Sequence, residues 1–289
     1  MTDDNSSLID LLKVEQLELD LFRGIGSGGE TAQRIYGGQV ISQALAAACK
    51  TVTDRPCHSL HAYFIRPGDP SIPVIYEVDR SRDGGSFTTR RVVAIQHGKQ
   101  ILNMSASFHV DEAGWDHQHV MPNVPGPEGF LTREEARLEI AEKIPEKHRE
   151  EWTRPRPYDM REVDGNSLID PRVMDDRNHV WVRVEAARGT SQVMQKLLLT
   201  YVSDLQLLGS SLRPHGLSWL KGEVMTASLD HAMWFHAPVR LEEWHLYVMD
   251  APFTGKGRGL NRGSFYRQDG TLVASVAQEG LIRPVRPKT

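Results

Sequence analysis

Two stretches decide how this chain folds: HAYFIRPGD at residues 61–69 and HAMWFHAPV at residues 231–239. They begin alike and lie 170 residues apart (231 − 61). Downstream, GKQILNMSAS starts at Gly98 and GTLVASVAQ at Gly270, an offset of 172 (270 − 98). Upstream, two helical segments match near Tyr36 and Tyr201, an offset of 165 (201 − 36). A nearly constant offset at three places predicts a duplicated unit of strand, helix and four strands.

The elements around these anchors can be read from their periods. Residues 8–12 form a short helical turn, and Leu17, Leu19 and Leu21 alternate with Glu18 and Asp20 as in a half-buried strand. Val40, Ile41, Ala44, Leu45 and Ala48 share one face of a helix that follows Gly37 and Gly38. Strands are expected at 59–66, 73–82, 86–97 and 100–110, with turns at Gly68, Gly84-Gly85 and Gly98. The second half repeats the order. A strand covers 179–187, and a helix runs over 191–209 with Met194, Leu197, Leu198, Tyr201, Leu205 and Leu208 inward, stopping near Gly209. Strands follow at 226–236, 243–250, 258–267 and 271–282. The expected organisation is a first unit at 1–112, a Pro-rich connector at 113–178 and a second unit at 179–289. The connector reads as a surface crossing with one helix at 132–144, for which Thr132 and Glu135 have capping-box spacing.

Composition narrows the function. The chain has 289 residues, a formal net charge of −4 and a mean hydropathy of −0.42, with no apolar run long enough for a membrane helix. That balance argues against nucleic-acid binding through bulk charge. Cys49 and Cys57 are too few for a disulfide framework or a four-cysteine zinc site. No basic and apolar leader and no prenylation or SKL-type tail is visible, so a cytoplasmic protein is expected. GIGSGG at 24–29 matches G-x-G-x-x-G but opens no βαβ unit, and the nucleophile elbow and phosphate-loop patterns are absent. His117 and His119 flank Gln118 in a polar loop and read as solvated rather than metal-binding.

Three polar residues stand out in the second unit. Asp204 lies beside the apolar stripe of its helix, where a carboxylate costs free energy unless it is hydrogen-bonded. It reads either as a polar flank or cap, or as a general base held against the sheet. Ser228 lies on a strand, and Gln278 falls on the apolar-facing set of another. Each alone is an ordinary satisfied polar group. By the offsets, the first unit has Gln39, His58 and Ala106 in their places, the pattern of one working and one degenerate site. Ser228, Asp230 and His231 look like a nucleophile triad, but strand alternation turns His231 to the opposite face unless a bulge intervenes. Lys256, Arg258 and Arg262 in FTGKGRGLNRG could hold phosphates or simply be a solvated hairpin.

Taken together, YGGQVISQAL (36–45), HSLHAYFIRPGD (58–69), GSFTTRRVVAIQHGK (85–99), MSASFH (104–109), YVSDLQLL (201–208), SLDHAMWFHAP (228–238) and GSFYRQDGTLVASVAQEGLIR (263–283) resemble the acyl-CoA thioesterase II family of TesB type. The resemblance spans about residues 8–284. It implies an α+β tandem hotdog, with two curved antiparallel sheets each wrapped around a central helix. It implies hydrolysis of medium- to long-chain acyl-CoA, with a catalytic Asp, Thr or Ser, and Gln that fall on Asp204, Ser228 and Gln278. Ser here supplies the same hydroxyl as Thr. Gly37, Gly38 and Gln39 at a helix start, and His58, are the candidates for oxyanion or substrate binding, and Lys256, Arg258 and Arg262 those for the CoA phosphates. The resemblance implies no metal or cofactor, acyl-CoA as the partner molecule, and a homodimer or homotetramer. The competing expectations are an acyl-CoA binding protein without catalysis, a serine esterase using Ser228, and a dehydratase with a site built around His58 or His61.

Overall fold

Long alternating stretches make strands, and buried Ala-rich stretches make helices for those strands to cover. The computed structural model describes residues 4–26, 33–139, 141–144, 146–165 and 171–285. In chain order the first half holds α1 (Asp4–Leu12), β1 (Val14–Glu18), β2 (Leu21–Gly24), α2 (Gly37–Cys49), β3 (Cys57–Phe64), β4 (Val74–Asp83), β5 (Phe87–Gln96) and β6 (Lys99–His109). A middle segment adds α3 (Arg133–Glu139), α4 (Glu146–Thr153) and β7 (Asp159–Glu162). The second half holds β8 (Asn178–Arg183), α5 (Gln192–Ser203), β9 (Val224–Ser228), β10 (Asp230–Phe235), β11 (His245–Gly255), β12 (Arg258–Arg267) and β13 (Leu272–Pro284).

The strands form one antiparallel sheet in the order β1-β2-β4-β5-β6-β3-β10-β13-β12-β11-β8-β7, with β9 also paired to β13. This order is a palindrome about the β3–β10 pair, as a duplication requires. The two repeated segments are themselves partners there, with Ala62 opposite His231 and His61 opposite Ala232. Each half therefore sets a sheet against its own central helix, α2 or α5, in the tandem hotdog arrangement.

Helix α2 is buried from Gly38 to Ala48, and Gln39, Ser42 and Gln43 on it each make a side-chain hydrogen bond. Ser42 Oγ donates to Leu197 O of α5 at 3.0 Å, and Gln43 Nε2 donates to Leu11 O at 2.6 Å while Gln43 Oε1 accepts from Tyr76 at 2.7 Å. Gly38 packs on the carbonyl of Tyr201, where an added Cβ would come within 2.5 Å of that oxygen. Gly38 against Tyr201 and Ser42 against Leu197 run in opposite directions, so α2 and α5 are antiparallel. The start of α2 thus meets the end of α5.

Several sequence expectations change here. Tyr36 and Tyr201 are contact partners, with ring centroids 4.9 Å apart and the Tyr36 hydroxyl donating to Tyr201 O at 2.9 Å. They are not equivalent positions of the repeat. Equivalent helix ends are the caps Lys50 and Asp204, 154 apart (204 − 50), so Asp204 matches Lys50 and not Gln39. Helix α5 stops at Ser203 because Gln206 takes a left-handed conformation at φ 65°, and a 3-10 helix follows over Leu207–His215. Its buried Leu207, Leu208 and Leu212 prolong the apolar pattern past the break. The alternation at Leu17–Leu21 spans a turn at Asp20, φ 60°, and Leu19 is 68% exposed.

The expected strand 226–236 is two strands broken at Leu229. The expected helix 132–144 is shorter, and a second helix, α4, follows it. The capping box is present, with Glu135 N–H donating to Thr132 Oγ1 at 3.1 Å and Thr132 N–H to Glu135 at 2.7 Å. The connector is more than a tether, since β7 pairs with β8. Of GIGSGG, residues 27–29 lie outside the described residues. No helix among the described residues is long and apolar enough to cross a membrane.

Leu45, fully buried in α2, tests this core. Leu45→Ala is expected to cost about 2–5 kcal/mol, seen as a lower urea midpoint with an unchanged slope.

Candidate active site

The centre of the site is the carboxylate of Asp204, whose side chain is 6% exposed. It caps the C-terminal end of α5 and faces the N-terminal end of α2. Three donors hold it: Gln278 Nε2 at 2.5 Å from Oδ1, the backbone N–H of Gly38 and the hydroxyl of Ser228. The first-turn N–H groups of a helix lack intrahelical partners and carry positive partial charge, which suits a carboxylate. Burial nevertheless dominates and pushes the Asp204 pKa up to about 6, against the pull of these donors and of Arg34. Gly37 permits the approach: a Cβ there would lie 2.7 Å from Asp204 Oδ2 and 2.8 Å from the Phe64 ring.

Asp204, Ser228 and Gln278, far apart in sequence, therefore meet at one carboxylate. The break at Leu229 brings a fourth residue. Ser228 sits opposite Gly280 and Ala232 opposite Ala277, so four steps along 228–232 span three along 277–280. One extra residue is a bulge, and it reverses the alternation beyond it. Asp230 fills the gap by accepting from Glu279 N–H at 2.7 Å. His231 consequently turns inward with Ser228, contrary to its expected outward face.

His231 is fully buried, and burial lowers its pKa to about 4. Its Nδ1 lies 3.2 Å from Gln278 Nε2 and its Nε2 lies 2.9 Å from Ser203 Oγ. An amide nitrogen only donates, so Nδ1 accepts and Nε2 carries the hydrogen. Ser203 Oγ accepts that hydrogen and donates its own to Thr200 O at 2.8 Å. The 4.0 Å approach of His231 to Asp204 is no ion pair, because the imidazole is neutral. With both ring nitrogens and Asp230 engaged this way, Ser228, Asp230 and His231 form no nucleophile relay.

A cavity of about 590 Å³ opens onto Asp204 and Ser228. Val40, Phe64, Ile101, Leu102, Leu208 and Trp219 give it apolar walls, and Gly37 lines it at the start of α2. Arg34, Arg66, Arg137 and Arg156 also line it, while Asp204 is the sole carboxylate among its described lining residues.

The other expected site residues lie elsewhere. Gly38 lends its N–H to Asp204, so it does not point at an oxyanion. Gln39 is buried and donates to Ile25 O at 2.8 Å, outside the cavity. His58 bonds Ser107 Oγ at 2.8 Å and stacks edge-on to Phe87, also outside it. Burial, then His109 and Lys196, lower its pKa. Lys256 turns the β11–β12 hairpin at φ 52°. Arg258 pairs with Glu279 at 2.8 Å and Arg262 with Asp250 at 2.7 Å. None of these three lines the cavity. What the sequence reading missed is the inward turn of His231 and the connector's share of the cavity lining, Arg137 and Arg156. The triad-like cluster 228–231 was the signal for the first, since a bulge would have aligned it.

Comparison with known proteins gives the family. Residues 148–281 match the family model described as Acyl-CoA thioesterase, and residues 27–109 that described as Acyl-CoA thioesterase N-terminal domain. Acyl-CoA thioesterase 2 of Haemophilus influenzae is 37% identical over 98% of this chain and 99% of its own. Acyl-coenzyme A thioesterase 8 of Mus musculus is 40% identical over 94% of this chain and 88% of its own. The crystal structure of acyl-CoA thioesterase II TesB2 from Mycobacterium marinum superposes with a TM-score of 0.78 at 38% identity, covering 98% of this chain and 99% of that one. Two family models, near-complete relatives and a shared tandem fold agree, and the chain belongs to the acyl-CoA thioesterase family.

Proposed function

We propose that this acyl-CoA thioester hydrolase cleaves medium- to long-chain acyl-CoA with a water activated by Asp204. The carrying observation is the buried Asp204 carboxylate, bonded by Gln278, Ser228 and Gly38 at the end of a partly apolar cavity. The water gives a proton to Asp204 as its oxygen attacks the thioester carbonyl carbon. The tetrahedral intermediate collapses, the C–S bond breaks, and the sulfur leaves with the proton returned by Asp204. The products are a fatty acid and CoA. Ser228 and Gln278 orient the base and water. The N–H of Gly37, at the first turn of α2 in the cavity wall, is the donor for the oxyanion. A pKa near 6 leaves Asp204 ionised at neutral pH yet basic enough to take the proton.

Because a thiolate leaves readily and Asp204 supplies the base, this reaction calls for no metal or cofactor, and EDTA is expected to leave turnover unchanged. We further propose a cytoplasmic homo-oligomer, a dimer or tetramer. The strand order ends at β1 and β7, and sheet edges favour association. The free thiols of Cys49 and Cys57 suit a reducing compartment. Light scattering at assay concentration would count the chains, and a monomer would refute the assembly.

Thiol release from acyl-CoAs of increasing chain length is the direct test. Asp204→Asn is expected to lower kcat/KM by about 10²- to 10⁴-fold. Near wild-type release by that variant would remove Asp204 from the mechanism. In the wild type, kcat/KM should rise with pH, reach half its maximum near pH 6 and stay level above, since the ionised carboxylate is the active form.

His231 is a positioning residue with its own signature. Without it, Gln278 loses the acceptor that holds its second amide hydrogen. His231→Ala should lower kcat about 10- to 100-fold with little change in KM. The pH midpoint should also move upward, because a displaced Gln278 no longer stabilises the carboxylate. An unchanged midpoint in a folded variant would reduce His231 to packing.

A further inference from the structure

The groups around Asp204 address the thioester, and the length of the acyl chain is left to the cavity walls. Strand β9 leads away from Asp204. Ser228 at its end donates to the carboxylate. Thr226 lies two residues back on the same face of the strand, roughly 6.6 Å away along it. Both line the cavity. Thr226 Oγ1 accepts a hydrogen bond from Trp219 Nε1 at 2.7 Å. At the far corner of the indole, Cη2 would be 3.6 Å from a Cβ on Gly209, an ordinary contact distance. The ring therefore spans from β9 to the 3-10 helix Leu207–His215 and is placed at both ends. Its backbone is placed as well. Trp219 opens a single 3-10 turn, Trp219–Lys221, and Trp219 O accepts from Gly222 N–H at 3.0 Å. Gly222 is at φ 66°, which glycine adopts without strain.

The walls between Asp204 and this ring are mostly apolar. Leu205 and Leu208 line the cavity there, and Trp219 packs on the cluster of Leu208, Leu212, Val224 and Ile282. Gln206, a polar lining residue of the same stretch, is engaged with Glu162 at 2.8 Å. The four lining arginines all come from residues 34–156, so the stretch 204–229 brings no charge to the lining except Asp204 itself. An uncharged arm closed by an indole suits a hydrocarbon chain.

We propose that Trp219 is the end wall of the acyl site: the chain runs from the thioester at Asp204 along β9, and its terminal methyl meets the indole. This assignment rests on the hydrolase reading and adds to it the residue that sets chain length. Up to the ring, each methylene taken out of water is worth about fourfold in kcat/KM. A longer chain must fold back or leave methylenes in water, so the gain stops there.

Thiol release from butanoyl- to stearoyl-CoA, in two-carbon steps, tests this. For wild type, kcat/KM is expected to climb to a maximum and then level or fall. Trp219→Ala should move the maximum at least one step longer, raising kcat/KM for the first chain past the wild-type maximum about tenfold. Chains short of the maximum should change less than about twofold, which also shows that the variant is folded. Trp219→Phe keeps a ring in place and should leave the maximum where it is. A folded Trp219→Ala with an unmoved maximum, or with all lengths changed alike, would overturn the proposal.

A second measurement uses the wild type alone. A ketone analogue of the preferred acyl-CoA has CH2 in place of the thioester sulfur and carries a diazirine at the far end of the chain. Photolysis should attach it within residues 207–226, read by peptide mass spectrometry. Attachment elsewhere, as at Ile101 and Leu102 of β6, would overturn the proposal. A wild type that cleaves no acyl-CoA sinks the hydrolase reading and this proposal with it. One that cleaves every chain length equally well sinks this proposal alone.

Discussion

The structure turns on one unfavourable act, the burial of an ionisable carboxylate between the ends of two helices. Asp204 can sit there only because the antiparallel helices bring the N–H of Gly38 to it and because Gln278 reaches it from β13. Both glycines at the start of α2 follow from that approach, since a Cβ on Gly37 would strike the carboxylate and one on Gly38 the carbonyl of Tyr201. The cost has a definite sign. The folded-state pKa of about 6 lies above the ordinary 3.8, so the folded form binds more protons between those values. Stability is therefore lost as pH rises through that window and stays lower above it, by roughly 3 kcal/mol at 1.36 kcal/mol per unit. The same burial that raises the pKa of Asp204 weakens the fold that holds it.

The duplication supplies a natural contrast at the other end of the helix pair. There the cap of α2 is Lys50, where α5 has Asp204. Lys196 of α5 donates to Cys57 O at 2.7 Å and lies over the Phe235 ring, and burial pushes both Cys49 and Cys57 thiols upward. A buried cation with protonated thiols cannot take a proton from water as a carboxylate does. Helix antiparallelism is thus necessary for a site of this kind but does not make one.

Much of the fold was legible because its signals are periodic. The strands β4, β5, β6 and β12 fall within a residue or so of where alternation puts them. Pairing Asp204 with Ser228 and Gln278 came from comparing the two units and from the family resemblance; periodicity alone left each as an ordinary polar residue. The failures share a cause: a single backbone irregularity that composition does not announce. The bulge at Leu229 turned His231 inward, and the left-handed Gln206 ended α5 early. The match of Tyr36 to Tyr201 failed differently, because residues that touch across a pseudo-dyad can look like residues related by it. The connector arginines were invisible since only tertiary packing brings α3 over the cavity.

Leu229 has one more role. Its carbonyl accepts from Phe64 N–H of the first half at 3.0 Å, and its N–H donates to Glu279 O of the second at 2.9 Å. The residue that aligns Ser228 and His231 is therefore also a stitch between the halves. Contacts this distant in sequence close late, after local helices and hairpins have formed. During refolding, each half can recover its own secondary structure before Ser228 and His231 are in register with Asp204. Regained activity thus reports the docking of the halves, a later event than the one circular dichroism sees.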